Sequence, residues 1–112
     1  MLGRERRKNA RYVIGELSFE TNGVRHETVD ISVSAVAIVR LSGVDYSRLG
    51  ENCRFHSTKG AELNQAALNP QFVAQRASIV VIGYASASTD WEQVLRNNDV
   101  RADMKQLEDV FG

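Results

Sequence analysis

The chain has 112 residues, 43% of them hydrophobic and 25% charged, and its formal net charge at pH 7 is zero. This length suits one domain with a single modest core, and the balanced charge gives no general attraction to nucleic acid or to anionic membranes. One cysteine excludes an internal disulfide, and without an apolar run of membrane-spanning length or a secretory leader we expect a cytoplasmic protein with no membrane insertion.

The N-terminal part predicts a basic arm followed by a hairpin. Residues 1–10 have almost no apolar side chains and several cations, which predicts a flexible arm. From Tyr12 to Glu20 apolar and polar residues alternate, as in a half-buried strand whose inner face carries Val13, Gly15, Leu17 and Phe19. Asn22-Gly23 then predicts a tight turn into a return strand over 24–31, which is polar enough to have a solvated face.

The middle of the chain predicts further strands and one helical turn. Residues 35–41 are apolar and β-branched, which indicates a buried strand, and a short strand is expected at 53–56 with Cys53 as a buried thiol. Residues 61–68 favour a helical turn that Pro70 ends. The clearest late strand lies at 77–82.

The C-terminal part predicts helix. Thr89 and Glu92 have the spacing of a capping box, Asn97-Asn98 indicates a break, and a second helix would place an apolar stripe along one face (Val100, Met104, Leu107 and Phe111). Strands first and helices last predict one mainly β domain over 1–112: a small antiparallel β-barrel over 12–84, with a C-terminal helix or helices over 89–111.

The sequence contains no recognisable catalytic or metal-binding pattern. His26 and His56 have no neighbouring cysteine and no carboxylate at a metal-ligand spacing, so we expect two surface strand histidines and no metal site. No serine lies in a nucleophile elbow, and no glycine loop could cradle a phosphate. We therefore expect a binding protein and not an enzyme.

Two short motifs suggest what could be bound. Arg7 and Arg11 lie four residues apart, and planar guanidinium groups suit phosphate oxygens and can stack on a purine. Asp30 and Ser32 follow at the end of a predicted strand, where a carboxylate could accept from the N1–H and amine of guanine. The arginines could equally belong to a solvated arm, and Asp-x-Ser is common in ordinary turns.

In this order and spacing, the two motifs resemble the Arg-x-x-x-Arg and [Asp/Asn]-x-Ser-x-x-Gly signature of PilZ domains, bacterial receptors for the second messenger cyclic di-GMP. The resemblance implies a small β-barrel with a C-terminal helix. It implies that Arg7 and Arg11 grip the phosphates and bases of the ligand, and that Asp30 and Ser32 meet a guanine. Arg6, directly before the first motif arginine, favours an intercalated dimer of cyclic di-GMP.

One residue departs from the signature, because Ala35 stands where the motif has glycine. If Ala35 had to adopt the left-handed conformation, the strain would be about 1–2 kcal/mol. The leading hypothesis is a non-enzymatic cyclic di-GMP receptor that signals to an unidentified effector protein. The alternatives are a degenerate PilZ-like domain that serves as a protein-interaction module, and a small barrel whose basic arm binds RNA or DNA.

Overall fold

A computed structural model describes residues 9–101, and these form a closed six-stranded antiparallel barrel with one short helix after it. The strand order around the barrel is β1-β2-β3-β6-β5-β4, and β4 pairs with β1 to close it. This confirms the fold class expected from the sequence. The elements are β1 (Leu17–Thr21), β2 (Val24–Ile31), β3 (Ala35–Val39), β4 (Cys53–Ser57), a 3₁₀ turn (Ala61–Leu63), β5 (Ala66–Arg76), β6 (Ile79–Ser86) and α1 (Trp91–Asn97).

The hairpin between β1 and β2 forms as predicted. Thr21 pairs with Val24, so Asn22 and Gly23 are the two turn residues, and their φ angles are 54° and 76°. Positive φ at both positions is the geometry of a type I′ turn, whose twist matches that of the flanking strands. The Asn-Gly dipeptide therefore sets the register of the first two strands.

The predicted strand over 12–20 is shorter than expected. β1 begins at Leu17, and Glu16 has a positive φ of 56°, which breaks the strand before it. Tyr12 and Ile14 are buried instead of Val13 and Gly15, and each forms an isolated bridge, to Ile31 and Asp99 respectively. The turn at residues 15 and 16 shifts the alternation by one residue, so the predicted inner face is correct only from Leu17 onward.

The helical turn predicted over 61–68 is also largely wrong. Only Ala61–Leu63 is helical, and the chain then enters β5, which continues past Pro70 to Arg76. Pro70 is accommodated because the β5–β6 register shifts between Leu68 and Gln71, and a proline at such an irregularity costs no ladder hydrogen bond. Tertiary pairing with β6 overrides the helix propensity of this segment.

The core combines the inner faces of the strands with one side of α1. The ring of Phe55 lies 5.1 Å from those of Phe19 and Tyr84 and 5.6 Å from that of Trp91. Helix α1 ends at Asn97, as the predicted break requires, but the predicted capping box does not form. Its N-cap residue is Asp90, which makes no side-chain capping hydrogen bond. Within residues 9–101, no helix is long and apolar enough to cross a membrane.

Cys53 is buried, as predicted, whereas the histidines differ from expectation. His26 is fully buried: its Nδ1 lies 3.0 Å from the Val24 carbonyl oxygen, and its Nε2 lies 2.9 Å from the hydroxyl of Tyr46. His56 is half-buried beside Glu20 at 2.7 Å. The prediction of two surface histidines was wrong because His26 falls on the inner face of β2, where polar atoms of the barrel satisfy its ring nitrogens.

Three predicted features lie outside the described residues. These are the arm up to residue 8, the motif arginines Arg6 and Arg7 within it, and the part of the second C-terminal helix from residue 102 onward.

Candidate functional site

Arg11 of the first sequence motif and Asp30 of the second lie together at the edge of the barrel. Tyr12 and Ile31 exchange two backbone hydrogen bonds, of 2.8 and 2.9 Å, in an antiparallel bridge, so the residues that precede them lie diagonally across the bridge with their side chains on the same face. Arg11 Nη1 consequently donates to Asp30 Oδ1 at 3.0 Å. The side chains keep 32% and 27% of their exposed surface, so both remain accessible to a ligand.

A β-bulge aims Asp30 outward. Thr28 pairs with Ile38 and Asp30 pairs with Ala37, so Val29 is an extra residue in β2. Without the bulge, strict alternation would put Asp30 on the same face as Thr28, toward the barrel interior. With it, Asp30 and Val29 both face outward, while Ile31 returns to the core.

Asp30 lies at one end of a pocket on the outer surface of the barrel, with a volume of ≈ 420 Å³. The strand registers align Asp30, Ala37, Val81 and Ala74 in one row across β2, β3, β6 and β5. Three strand spacings make this row about 14 Å long. The floor between its ends is apolar, because Ala37, Val81 and Ile79 all present small or aliphatic side chains to it.

Strand β5 forms the far wall of the pocket. The sequence had predicted a helical turn for the first residues of this strand. Val73 and Arg76 line this wall, opposite Arg11 and Asp30. Val73 is 58% exposed, so its apolar surface is open to a ligand in the pocket. Sequence reasoning missed both residues. Prediction of a strand over 72–76 is the only sequence signal that could have placed Val73 and Arg76 at the pocket, and no motif contains Arg76.

Ser32 occupies a structural position in the turn between β2 and β3. It is buried, and its hydroxyl accepts from the backbone N–H groups of Ala35 at 3.1 Å and Ser34 at 3.3 Å. Its own N–H donates to the Ala35 carbonyl at 2.8 Å. The structure therefore brings Arg11 and Asp30 to the pocket and places Ser32 beneath the adjoining turn.

Ala35 does not adopt the left-handed conformation. Among residues 9–101, the non-glycine residues with positive φ are Glu16, Asn22, Asn69 and Ala77, and Ala35 is not one of them. It is the first residue of β3 and pairs with Gly83 of β6. The strain that an alanine would suffer in place of the motif glycine is absent, because this backbone is extended.

The turn that carries Ser32 is tied to the core through Tyr84. The Tyr84 hydroxyl donates to the Ser32 carbonyl at 2.5 Å and accepts from Trp91 Nε1 at 2.6 Å. Burial raises the pKa of Tyr84, although the Trp91 hydrogen bond opposes that shift. The hydroxyl thus remains a donor to Ser32 at any ordinary pH, and it links the motif turn to α1.

The segment after α1 holds the chain that bears Arg11. Val100 N–H donates to the Val13 carbonyl at 2.8 Å, and Asp99 Oδ1 accepts from Val13 N–H at 3.4 Å. The Arg101 guanidinium donates to the Arg11 carbonyl and pairs with Asp99 at 3.1 Å. Although burial opposes ionisation of Asp99, hydrogen bonds from Arg101 and Val13 outweigh it and lower the pKa of this carboxyl.

The pocket combines guanidinium groups at both ends, one carboxylate and an apolar floor. This chemistry suits an anionic ligand with planar rings, since arginine binds phosphate and a carboxylate accepts from paired ring donors. Within residues 9–101, no group of three or more metal-ligating side chains is close enough to hold a metal ion. Comparisons with family models, with curated proteins and with solved structures find no match to this chain.

Proposed function

We propose that this domain is a PilZ-like receptor that binds cyclic di-GMP in the outer pocket and acts by conformational change, without catalysis. The observation that carries the proposal is the meeting of Arg11 and Asp30 at 3.0 Å at the end of an apolar pocket. The two motifs, distant in sequence, supply a phosphate-binding cation and a guanine-binding carboxylate at one place.

In this proposal Arg11 exchanges its bond to Asp30 for a phosphate oxygen, and Asp30 accepts from the N1–H and amine of a guanine. Arg6 and Arg7 precede Asn9 by three and two residues in the sequence, and Asn9 Nδ2 donates to Ser34 Oγ at 2.8 Å in the motif turn. The chain therefore enters the described region beside the site, which supports a role for both arginines. Several charge-assisted hydrogen bonds of about 1.5–3 kcal/mol each would give micromolar affinity after ordering costs.

Ligand binding would be transmitted through the segment that bears Arg11. The backbone of Arg11 and Val13 contacts Asp99, Val100 and Arg101 directly. A ligand that moves Arg11 therefore acts on the chain that leads into the C-terminal segment. An effector protein would recognise the change there, or at the basic N-terminal arm once the ligand phosphates neutralise its charge.

Isothermal titration calorimetry with cyclic di-GMP tests the proposal. Wild type should bind at micromolar or lower concentration, and Arg11→Ala and Asp30→Ala should each weaken binding by tenfold or more. Two ligands per chain would support the intercalated dimer suggested by Arg6. Absence of heat with wild type, or unchanged binding by the Arg7→Ala, Arg11→Ala double variant, contradicts the proposal.

Two controls make the result specific. Cyclic di-AMP has the same phosphates but lacks the paired ring donors that Asp30 would accept, so it should bind at least tenfold more weakly than cyclic di-GMP. Arg54→Ala removes an exposed charge from β4, outside the pocket, and should leave binding unchanged.

The competing function is a PilZ-like protein-interaction module without a ligand. It is favoured by the exposed apolar side chains on β5, where Leu68 is 42% and Phe72 45% exposed. This function predicts no calorimetric response to cyclic di-GMP. Binding of RNA or DNA by the arm, the third alternative, predicts instead a steep salt dependence with oligonucleotides and no effect of Asp30→Ala.

A further inference from the structure

We propose that Arg76 is a second, cationic anchor of the pocket, and that it binds the half of the ligand that Arg11 and Asp30 do not reach. This inference rests on the proposed function and adds to it a residue outside both sequence motifs. The ligand half that it takes carries a phosphate.

The geometry of the sheet separates the two anchors. Asp30 and Ala74 stand at opposite ends of the four-strand row, and Arg76 follows Ala74 on the same strand. A distance of about 14 Å between β2 and β5 exceeds what the Arg11 side chain covers while it remains beside Asp30. A ligand that fills the pocket therefore needs a separate partner at its far end.

Arg76 is suited to that role because its charge has no partner among residues 9–101. Arg11 is paired with Asp30, but the Arg76 side chain makes no hydrogen bond or ion pair with any other residue from 9 to 101. Arg76 is nevertheless held in a fixed backbone position. It ends β5 opposite Ile79, and the hairpin tip is held by a hydrogen bond of 2.7 Å from the N–H of Arg40, the residue after β3, to the Ser78 carbonyl.

The apolar walls agree with a planar ligand between the anchors. Val29 and Val73 flank the pocket on opposite sides, and they are 38% and 58% exposed. Exposed aliphatic side chains on a structured surface are a mark of a binding site when charged groups surround them. Two bases lying at opposite ends of the floor would each cover one valine, while the phosphates of the ligand reach the two arginines.

Titration of cyclic di-GMP into wild type, Arg76→Ala and Arg54→Ala tests the inference. Arg76→Ala should raise the dissociation constant by about ten- to one-hundredfold, the loss expected for one charge-assisted contact. Arg54→Ala, which removes an exposed charge from the other side of the barrel, should change it less than about twofold. Arg76→Gln, which keeps most of the side-chain length, should behave like Arg76→Ala.

The outcomes distinguish this inference from the proposed function. If wild type binds and the Arg76 variants bind as tightly as Arg54→Ala, the pocket functions without Arg76 and the inference is overturned. If wild type does not bind cyclic di-GMP, both proposals fail. Because Arg76 is exposed and makes no side-chain hydrogen bond or ion pair within residues 9–101, thermal unfolding of its variants should match wild type, so lost binding cannot be ascribed to lost folding.

Discussion

Replacement of Tyr84 by phenylalanine should show how strongly the core supports the candidate site. The substitution removes one hydroxyl and keeps the ring, so the packing against Phe55 is retained. Two buried groups lose their partner: the Ser32 carbonyl, now 2.5 Å from the hydroxyl, and the Trp91 N–H, now 2.6 Å from it. Each unsatisfied buried group costs about 1–3 kcal/mol, so unfolding should become easier by at least about 2 kcal/mol.

This loss is large for a domain of this size. About 1 kcal/mol corresponds to 4–8 °C in a domain of roughly 100 residues, so a loss of about 2 kcal/mol lowers the Tm by about 8–16 °C, and a larger loss lowers it further. Urea unfolding followed by circular dichroism gives the free energy, and the emission of Trp91, the single tryptophan, reports on the altered hydrogen bond.

Tyr12→Phe is the matched control. The Tyr12 hydroxyl donates to Glu92 Oε2 at 3.2 Å, and the Glu92 side chain is 50% exposed, so water can replace the lost partner. Its cost should stay below about 1 kcal/mol. If Tyr84→Phe destabilises the domain no more than Tyr12→Phe, the Tyr84 hydroxyl does not support the motif turn as described.

Three further predictions concern single positions. Ala35→Gly should destabilise the domain by about 0.5–1 kcal/mol, because glycine in a strand loses more conformational freedom on folding. It should change the affinity for cyclic di-GMP less than about threefold, because no left-handed strain is relieved. A gain in affinity of tenfold or more would show that the alanine methyl obstructs the ligand. Asp99→Asn should cost up to about 1 kcal/mol in urea unfolding at pH 7. Because the folded-state pKa of Asp99 lies below 3.8, its charge stabilises the protein above that pH. The difference in the free energy of unfolding between wild type and variant should therefore disappear as the pH falls through the folded-state pKa. A difference that stays constant from pH 7 to pH 3 would contradict the pairing with Arg101. Burial raises the pKa of the Cys53 thiol, so this group should react with a thiol reagent at the rate of unfolding, and rapid reaction under native conditions would place it at the surface.

Local signals were sufficient for much of the barrel. Asn22-Gly23 fixed the first hairpin because positive φ at two successive positions selects those residues. The apolar run from residue 35 predicted the buried strand β3, and the Asn97-Asn98 break marked the end of α1. The two motifs also predicted that Arg11 and Asp30 share a binding site; the structure brings their side chains to 3.0 Å, and their ligand-binding role stays a prediction.

Other features depend on pairing between distant segments. The turn before Leu17, the extension of β5 through Pro70 and the burial of His26 all contradict local patterns, because the closed barrel supplies partners that no local window contains. The unstrained backbone of Ala35 likewise follows from its pairing with Gly83 of β6, whereas the turn that the Ser32 hydroxyl caps is local and was one of the interpretations that the sequence allowed.

The sequence by itself determined that this is a small β-barrel protein with two short polar motifs of complementary chemistry. Only the tertiary structure decided what those motifs adjoin. The extra residue Val29 turns Asp30 outward, and the alignment of β2, β3, β6 and β5 puts Arg76 and Val73 across an apolar floor from it. Bulges and cross-strand registers arise from pairing along the whole barrel, and so the pocket has no signature in any one segment of the chain.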